Sequence, residues 1–107
     1  MTIDSPVDAQ IVAVEVDEPW PQTLVAWRSR RGILELDLIL MAFVEDVYPS
    51  LQLQEQCMYQ WLLLQKDTVL QQWLIYRKSP YHLTTAQQQC LDRVWAFMDG
   101  PMRQKAQ

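Results

Sequence analysis

The charged side chains that could do chemistry are concentrated in one short stretch of the sequence. Three arginines, one glycine and two carboxylates follow each other there, in the order Arg28, Arg30, Arg31, Gly32, Glu35 and Asp37. A guanidinium binds a carboxylate or a phosphate through two parallel hydrogen bonds. Glycine, which has no side chain, lets the backbone of a partner approach closely. The stretch therefore has the residue types of a recognition patch, and Trp27 stands directly before it.

The same residues also permit a purely structural interpretation. A short helix predicted over residues 22–31 would end in basic side chains, which are favourable near the negative end of the helix dipole. Gly32 would be the residue just past that end, where glycine is common. Glu35 would lie in the first turn of the next helix, where a carboxylate is favourable. The local pattern alone leaves both interpretations open.

Few other residues could serve catalysis or bind a metal. The chain has one histidine, His82, and its two cysteines, Cys57 and Cys90, are far apart and form no C-x-x-C pair. Adjacent carboxylates at 17–18 and 45–46 do not share a helix face, so we expect them to be solvated. Two glycines cannot form a glycine-rich phosphate loop. We predict no catalytic residue and no metal ligand, and we expect a protein that is not an enzyme.

The length and charge of the chain narrow the function classes further. Its 107 residues fit one domain, and the net charge of −4 argues against a general nucleic-acid binder, which is usually basic. The sequence shows neither a basic leader followed by an apolar run nor a charge-free apolar stretch of roughly 18 residues. Together with two isolated thiols, these features predict a cytoplasmic protein without membrane insertion.

The spacing of apolar residues predicts an all-α fold, a small antiparallel bundle of five short helices. The helices are expected at residues 22–31, 34–48, 51–65, 68–77 and from Thr84 or Thr85 to just before Gly100. Residues 1–21 carry five acidic side chains and no basic one, and we predict a flexible acidic tail there. The helical domain would then span residues 22–100, and residues 101–107 would form a frayed C-terminal tail.

Several helical positions are predicted to be buried. Trp61, Trp73 and Trp95 lie on apolar stripes, so we assign them to the core. Cys57 and Cys90 also occupy apolar helical positions, and an unpaired cysteine there behaves as a small hydrophobic residue. We expect both to be buried thiols.

Two further features of the helices can be predicted. The helix at residues 34–48 carries a second apolar stripe, formed by Leu34, Leu38 and Met41. A helix that is apolar on most sides is expected to be packed on most sides. Asp67 is predicted to cap the fourth helix, and the Thr-x-x-Gln spacing after residue 83 is a capping-box pattern for the fifth.

Residues 31–35, Arg-Gly-Ile-Leu-Glu, have the form R-G-x-x-E. The motif is preceded by Trp27 and Arg30 and is continued by Leu36 and Asp37. With this placement the sequence resembles the SdhE family, also called succinate dehydrogenase assembly factor 2 or flavinator proteins, over residues 24–98. One departure lies at residues 67–70, where Asp-Thr-Val-Leu stands in place of the Asp-Pro-Asp/Glu-Leu usual in the family.

The resemblance implies an assembly factor rather than an enzyme. Proteins of this family promote the covalent attachment of FAD to the flavoprotein subunit of succinate dehydrogenase, and in some bacteria of fumarate reductase. It implies that the chain binds no cofactor stably, acts on the FAD carried by its partner, and is monomeric when free.

The resemblance also implies a docking surface for the flavoprotein. Six residues would form it: Trp27, Arg30, Arg31, Gly32, Glu35 and Asp37. Arg31 would make a charge-assisted contact, Gly32 would permit close approach, and Glu35 would be an orienting carboxylate.

Two other functions stay open. Some members of the family carry an antitoxin label tied to a membrane-associated toxin, so an antitoxin-like or regulatory protein-binding module is the alternative. Nucleic-acid binding through Arg28, Arg30 and Arg31 is disfavoured by the acidity of the whole chain.

Overall fold

Every regular element in residues 19–78 and 82–105, the part of the chain that the computed structural model describes, is helical. We number the α-helices in chain order: α1 Gln22–Arg28, α2 Leu34–Asp46, α3 Leu53–Leu63, α4 Asp67–Leu70, α5 Thr85–Asp99 and α6 Pro101–Lys105. A 3₁₀ turn, Tyr48–Ser50, follows α2, and a π-helical turn, Gln71–Ile75, continues α4. The predicted all-α fold is confirmed. The acidic tail predicted for residues 1–21 falls largely on residues 1–18, which lie outside the described residues.

The core is one cluster of aromatic and aliphatic side chains to which α2, α3, α5 and the π-helical turn all contribute. Phe43 of α2 lies between Tyr59 and Phe97, with ring centroids 4.9 and 5.6 Å away. Trp61 and Trp73 stack with their centroids 5.6 Å apart. Stacked and edge-to-face contacts of this kind are favoured by the ring quadrupoles. The aromatic contacts thus connect all four elements.

The residues predicted to be buried are mostly found in this core. Trp61, Trp73 and both cysteines, Cys57 and Cys90, are buried, as predicted. Trp95 is only half-buried and packs against the edge of the core. Its indole Nε1 donates a hydrogen bond to the carbonyl oxygen of Trp73 at 2.9 Å. The polar end of the ring therefore stays near the surface while the apolar body covers the core.

Helix α1 ends three residues earlier than predicted. Ser29 is buried, and its hydroxyl donates to the carbonyl oxygen of Val25 at 2.8 Å. The same hydroxyl lies 3.1 Å from the hydroxyl of Tyr59, which donates to the carbonyl oxygen of Leu40 at 3.2 Å. A serine that hydrogen-bonds back to the preceding turn competes with further helix. Residues 29–33 consequently form a loop, which we call the α1–α2 loop.

The capping predictions had different outcomes. Thr84 caps α5 as predicted: its Oγ1 accepts from the Gln87 amide at 3.1 Å, and the Gln87 side chain accepts from the Thr84 amide at 3.0 Å. Asp67 is the first residue of α4 and not its cap, a position that Lys66 occupies. The prediction for Asp67 was wrong because its carboxylate is paired with Arg31 instead.

Helix α5 ends where the sequence predicts, and residues 101–105 after it are helical rather than frayed. Helix α5 stops at Asp99, just before Gly100. Pro101 then begins α6, a position where the missing N–H of proline removes no helical hydrogen bond. Met102 of α6 packs against the core. Residues 101–105 are therefore held on the domain by an apolar contact.

The second apolar stripe of α2 is not covered. Leu34 is 70% exposed, Leu38 60% and Met41 37%, so the prediction that α2 is packed on most sides was wrong. The opposite face of the helix supplies its buried residues, which are Leu36, Ile39, Leu40, Phe43 and Val44. A helix of a small domain buries one face against the single core, and Leu34 and Leu38 on the other face stay mostly exposed.

The buried thiol of Cys90 should make the protein less stable at alkaline pH. Burial raises the pKa of this thiol from 9.0 to about 12. As the pH rises, the thiol of the unfolded chain loses its proton first. The contribution of this thiol to the free energy of unfolding is therefore fully present below pH 9 and is lost as the pH rises toward 12. We expect the free energy of unfolding to fall by about 1.4 kcal/mol per pH unit from this one group. Urea unfolding of the wild type and of Cys90→Ala between pH 7 and 11 measures the effect. Equal slopes for the two proteins would contradict the assignment.

Candidate partner-binding site

The side chain of Arg31 connects the α1–α2 loop to the end of α3 and the start of α4. Its Nε donates to Oδ1 of Asp67 at 2.7 Å, and Nη2 donates to the carbonyl oxygen of Gln65 at 2.6 Å. Nη1 donates to the carbonyl oxygens of Leu63 at 2.9 Å and Arg28 at 3.2 Å. The side chain is 15% exposed. Four of the five guanidinium N–H groups therefore have partners within the chain.

These acceptors explain why the arginine is drawn inward. Leu63 is the last residue of α3, and the carbonyls at the C-terminal end of a helix have no partner within it. A cation is also favourable at that end of the helix dipole. Arg31 thus caps α3 from a segment about 30 residues away in sequence and neutralises the first carboxylate of α4 at the same time.

Asp37 of α2 secures the same loop from the other side. Its Oδ1 accepts a hydrogen bond from the backbone amide of Arg31 at 2.5 Å. The side chain of Asp37 is half-buried. Two of the six residues predicted to contact a partner, Arg31 and Asp37, are therefore committed to the conformation of the loop. Their predicted contacts with a partner stay predictions.

Gly32 lies on the outer side of this loop. Its φ of +81° is in the left-handed region that favours glycine, and a Cβ added to it would meet no atom within 4 Å. Because α1 has already ended at Arg28, Gly32 is not the residue directly after the helix, and that part of the prediction was wrong. The glycine is required by the backbone conformation, and the space in front of it is open.

The remaining predicted residues face solvent near Gly32. Trp27, Arg30 and Glu35 are all exposed. Trp27 and Arg30 line a groove of about 440 Å³ between α1 and α2, together with Met41 and Glu45. The same two residues line an adjoining depression of about 370 Å³ that reaches Arg31 and Asp67. The structure thus brings Trp27 and Arg30 together beside the α1–α2 loop.

Sequence reasoning missed two contributors to this region. Asp67 pairs with Arg31 across 36 positions, and no local pattern indicates such a partner. Trp20 packs against the core, and the guanidinium of Arg28 lies 5.0 Å from the centroid of its ring. A cation over an indole face is favourable. In the sequence, only the spacing of seven residues between Trp20 and Arg28 could have indicated this pair. Arg28 is thereby turned toward the start of α1.

A further depression in the described part of the chain is lined by a cysteine. It has a volume of about 590 Å³, lies between α3 and α5, and is crossed by an ion pair between Arg93 and Glu55. Cys90 lines it, but burial raises the pKa of this thiol to about 12, so the nucleophilic thiolate is not formed at neutral pH.

Within residues 19–78 and 82–105, no cluster of three or more His, Cys, Asp or Glu residues could hold a metal ion. In the same part of the chain, no helix is both long and apolar enough to cross a membrane.

Comparison with known proteins decides the family. The family model described as flavinator of succinate dehydrogenase matches residues 24–98. This range contains the whole R-G-x-x-E motif and the groups that accept hydrogen bonds from Arg31, an arrangement that we call the Arg31 clamp. The chain belongs to this family. No solved structure matches it.

Curated relatives of this flavinator-family chain carry the same name in several bacteria. The FAD assembly factor SdhE of Pseudomonas aeruginosa is 43% identical over 54 residues, which are 50% of this chain and 64% of the relative. The protein of that name in Coxiella burnetii is 37% identical over 65 residues, 61% of this chain and 79% of the relative. The match thus spans less than two thirds of the Pseudomonas protein. In this flavinator-family chain, the motif arginine points inward while the motif glycine and glutamate face solvent.

Removal of the Arg31 side chain should destabilise the fold, whereas removal of its exposed neighbour should not. Arg31→Ala leaves Asp67 and the carbonyls of Leu63 and Gln65 without their donors, and we expect a loss of about 2 kcal/mol in the free energy of unfolding. Arg30→Ala is the control, because exposed substitutions usually stay within about 0.5 kcal/mol. Urea unfolding followed by circular dichroism compares the two. Equal losses would show that the clamp does not stabilise the loop.

Proposed function

We propose that this chain binds the flavoprotein subunit of succinate dehydrogenase and promotes the covalent attachment of FAD to it. The observation that carries the proposal is the family match over residues 24–98. The names of the relatives in Pseudomonas and Coxiella, FAD assembly factor SdhE, support it. The flavoprotein subunit of fumarate reductase is a second client that the same surface would serve.

The chain acts in this proposal by positioning its partner and not by supplying a reacting group. The FAD and the group that becomes linked to it belong to the flavoprotein, and this chain needs no stably bound cofactor. Holding a reactive group in a productive geometry can remove much of an entropic barrier. A surface fixed before binding is suited to that task, and the clamp of Arg31 on Asp67, Leu63 and Gln65 supports such rigidity.

Each site residue then has a role that follows from where it lies. Glu35 and Arg30 are exposed and offer a carboxylate and a guanidinium to the flavoprotein. Gly32 allows the partner's surface to approach the loop backbone. Trp27 supplies a large apolar contact. Arg31 and Asp37 act as positioning residues through the loop.

The inward position of Arg31 also weighs against binding of nucleic acid. Of the three clustered arginines, Arg31 is largely buried by its internal partners and Arg28 lies over the Trp20 ring. Phosphate binding depends on several accessible cations acting together. We therefore propose a protein partner. From the family resemblance we also propose that the free chain is monomeric and acts in the cytoplasm.

Exposed motif residues should matter more for flavin attachment than for folding. Glu35→Ala removes the proposed orienting carboxylate, and Gly32→Val places a branched side chain in the open space before the loop. We expect Glu35→Ala to lower covalent flavin in the co-expressed flavoprotein at least tenfold, because the loss of one partner of a buried interfacial charge pair costs about 2–5 kcal/mol. We expect a similar loss for Gly32→Val, because the added side chain would hold the partner away from the loop backbone. Flavin fluorescence of the flavoprotein band on a denaturing gel measures this.

Two controls keep that experiment interpretable. Asp92→Asn changes an exposed carboxylate of α5 outside the proposed surface and should leave covalent flavin normal. The left-handed φ of Gly32 makes a branched residue there cost roughly 1–2 kcal/mol in stability, so the melting of Gly32→Val is measured alongside. Normal covalent flavin with both Glu35→Ala and Gly32→Val would remove this site from the proposal.

A further inference from the structure

The exposed face of α2 is a continuous apolar stripe. Leu34, Leu38 and Met41 follow one another at i, i+4 and i+7, the spacing that places side chains in a line along one side of a helix. Leu34 and Leu38 are mostly exposed, and Met41 is more than one third exposed. Isolated exposed leucines are ordinary, but a contiguous exposed row marks an interaction surface.

The stripe continues into the groove between α1 and α2. Met41 ends the stripe and also lines the groove, where it lies with Trp27 and Arg30. Trp27 is 70% exposed. Tryptophan and arginine are the residue types that most often dominate the binding energy of protein interfaces. The stripe and the groove together form one surface, which we call the α1–α2 face.

Charged groups border the α1–α2 face and limit what can cover it. Glu35 precedes Leu38 by three positions, so the two are neighbours on the helix surface. Glu45 and Arg30 line the groove, and both are exposed. An apolar centre with a charged rim is the usual arrangement of a protein interface. A partner for this face must offer apolar side chains, with a carboxylate where it meets Arg30.

We propose that the α1–α2 face is the apolar centre of the surface that receives the flavoprotein, with Leu38 at its middle. This inference rests on the proposed function, because the face adjoins Gly32 and Glu35 and so extends the motif surface. The flavoprotein contributes an apolar segment that covers Leu34, Leu38 and Met41 and an acidic side chain that pairs with Arg30. The motif residues then orient a contact whose affinity comes mainly from the apolar face.

A matched pair of leucines tests the apolar part. Leu38 and Leu53 are each 60% exposed, and Leu53 lies at the start of α3, outside the α1–α2 face. Glutamine has a helix propensity close to that of leucine and a similar length. We expect Leu38→Gln to weaken binding of the purified flavoprotein at least tenfold in titration calorimetry, and Leu53→Gln to change it less than twofold. Thermal unfolding of both variants checks that the fold is unchanged.

A second pair tests the charged part. Arg30→Gln should weaken binding and reduce the dependence of the affinity on salt, because one ion pair with the partner is lost. Arg103→Gln, in the exposed part of α6, is the control and should leave both quantities unchanged. An unaltered salt dependence for Arg30→Gln would remove the carboxylate partner from the inference.

The outcomes separate this inference from the proposed function. If the wild type binds the flavoprotein and raises covalent flavin while Leu38→Gln does both equally well, the α1–α2 face is not the docking surface and the function stands. If the wild type neither binds nor raises covalent flavin, the function fails and the inference with it. If sedimentation shows that the wild type dimerises and Leu38→Gln does not, with unchanged affinity for the flavoprotein, the face joins two copies of this chain and the inference is overturned.

Discussion

The structure around the candidate site depends on the guanidinium of Arg31. A charge that is mostly removed from water is costly unless its hydrogen bonds are replaced. Here a carboxylate and three carbonyl oxygens replace them, and two of those carbonyls lie at or just after the end of α3. One side chain therefore connects the loop after α1, the end of α3 and the start of α4. The shape of the motif surface therefore depends on contacts among these three parts.

This arrangement divides a short motif between two tasks. The arginine of R-G-x-x-E faces the protein, and the glycine and glutamate face solvent. The buried hydroxyls of Ser29 and Tyr59 and the carboxylate of Asp37 support the loop from below and from the side. Under the proposed function, substitutions at the arginine and at the glutamate would thus act by different physical routes. The first would loosen the surface, and the second would change what the surface offers.

The sequence predicted well those features whose cause is local. The apolar periodicity of α2, α3 and α5 located these helices, and the Thr84 capping box was found because its partner is three residues away. Features set by distant partners were missed. The early end of α1 depends on contact between Ser29 and Tyr59, 30 positions apart. The burial of Arg31 and the position of Asp67 depend on a pair separated by 36 positions. Periodicity also indicated that α2 has two apolar stripes, but it could not tell which of them faces the core. Of the candidate site, the motif was visible in sequence, whereas the division of its residues between scaffold and surface was not.

The left-handed backbone at Gly32 has one more consequence. A residue without a side chain, turned outward on a loop that is held from within, leaves peptide groups as the outermost atoms at that point. Peptide groups have the same shape and polarity whatever the surrounding sequence. A protein partner that binds there would contact the main chain of the loop. Substitutions at neighbouring positions would then affect binding mainly if they changed the path of the main chain. In this chain, which has only two glycines, recognition at Gly32 under the proposed function would therefore depend on backbone geometry more than on side-chain chemistry.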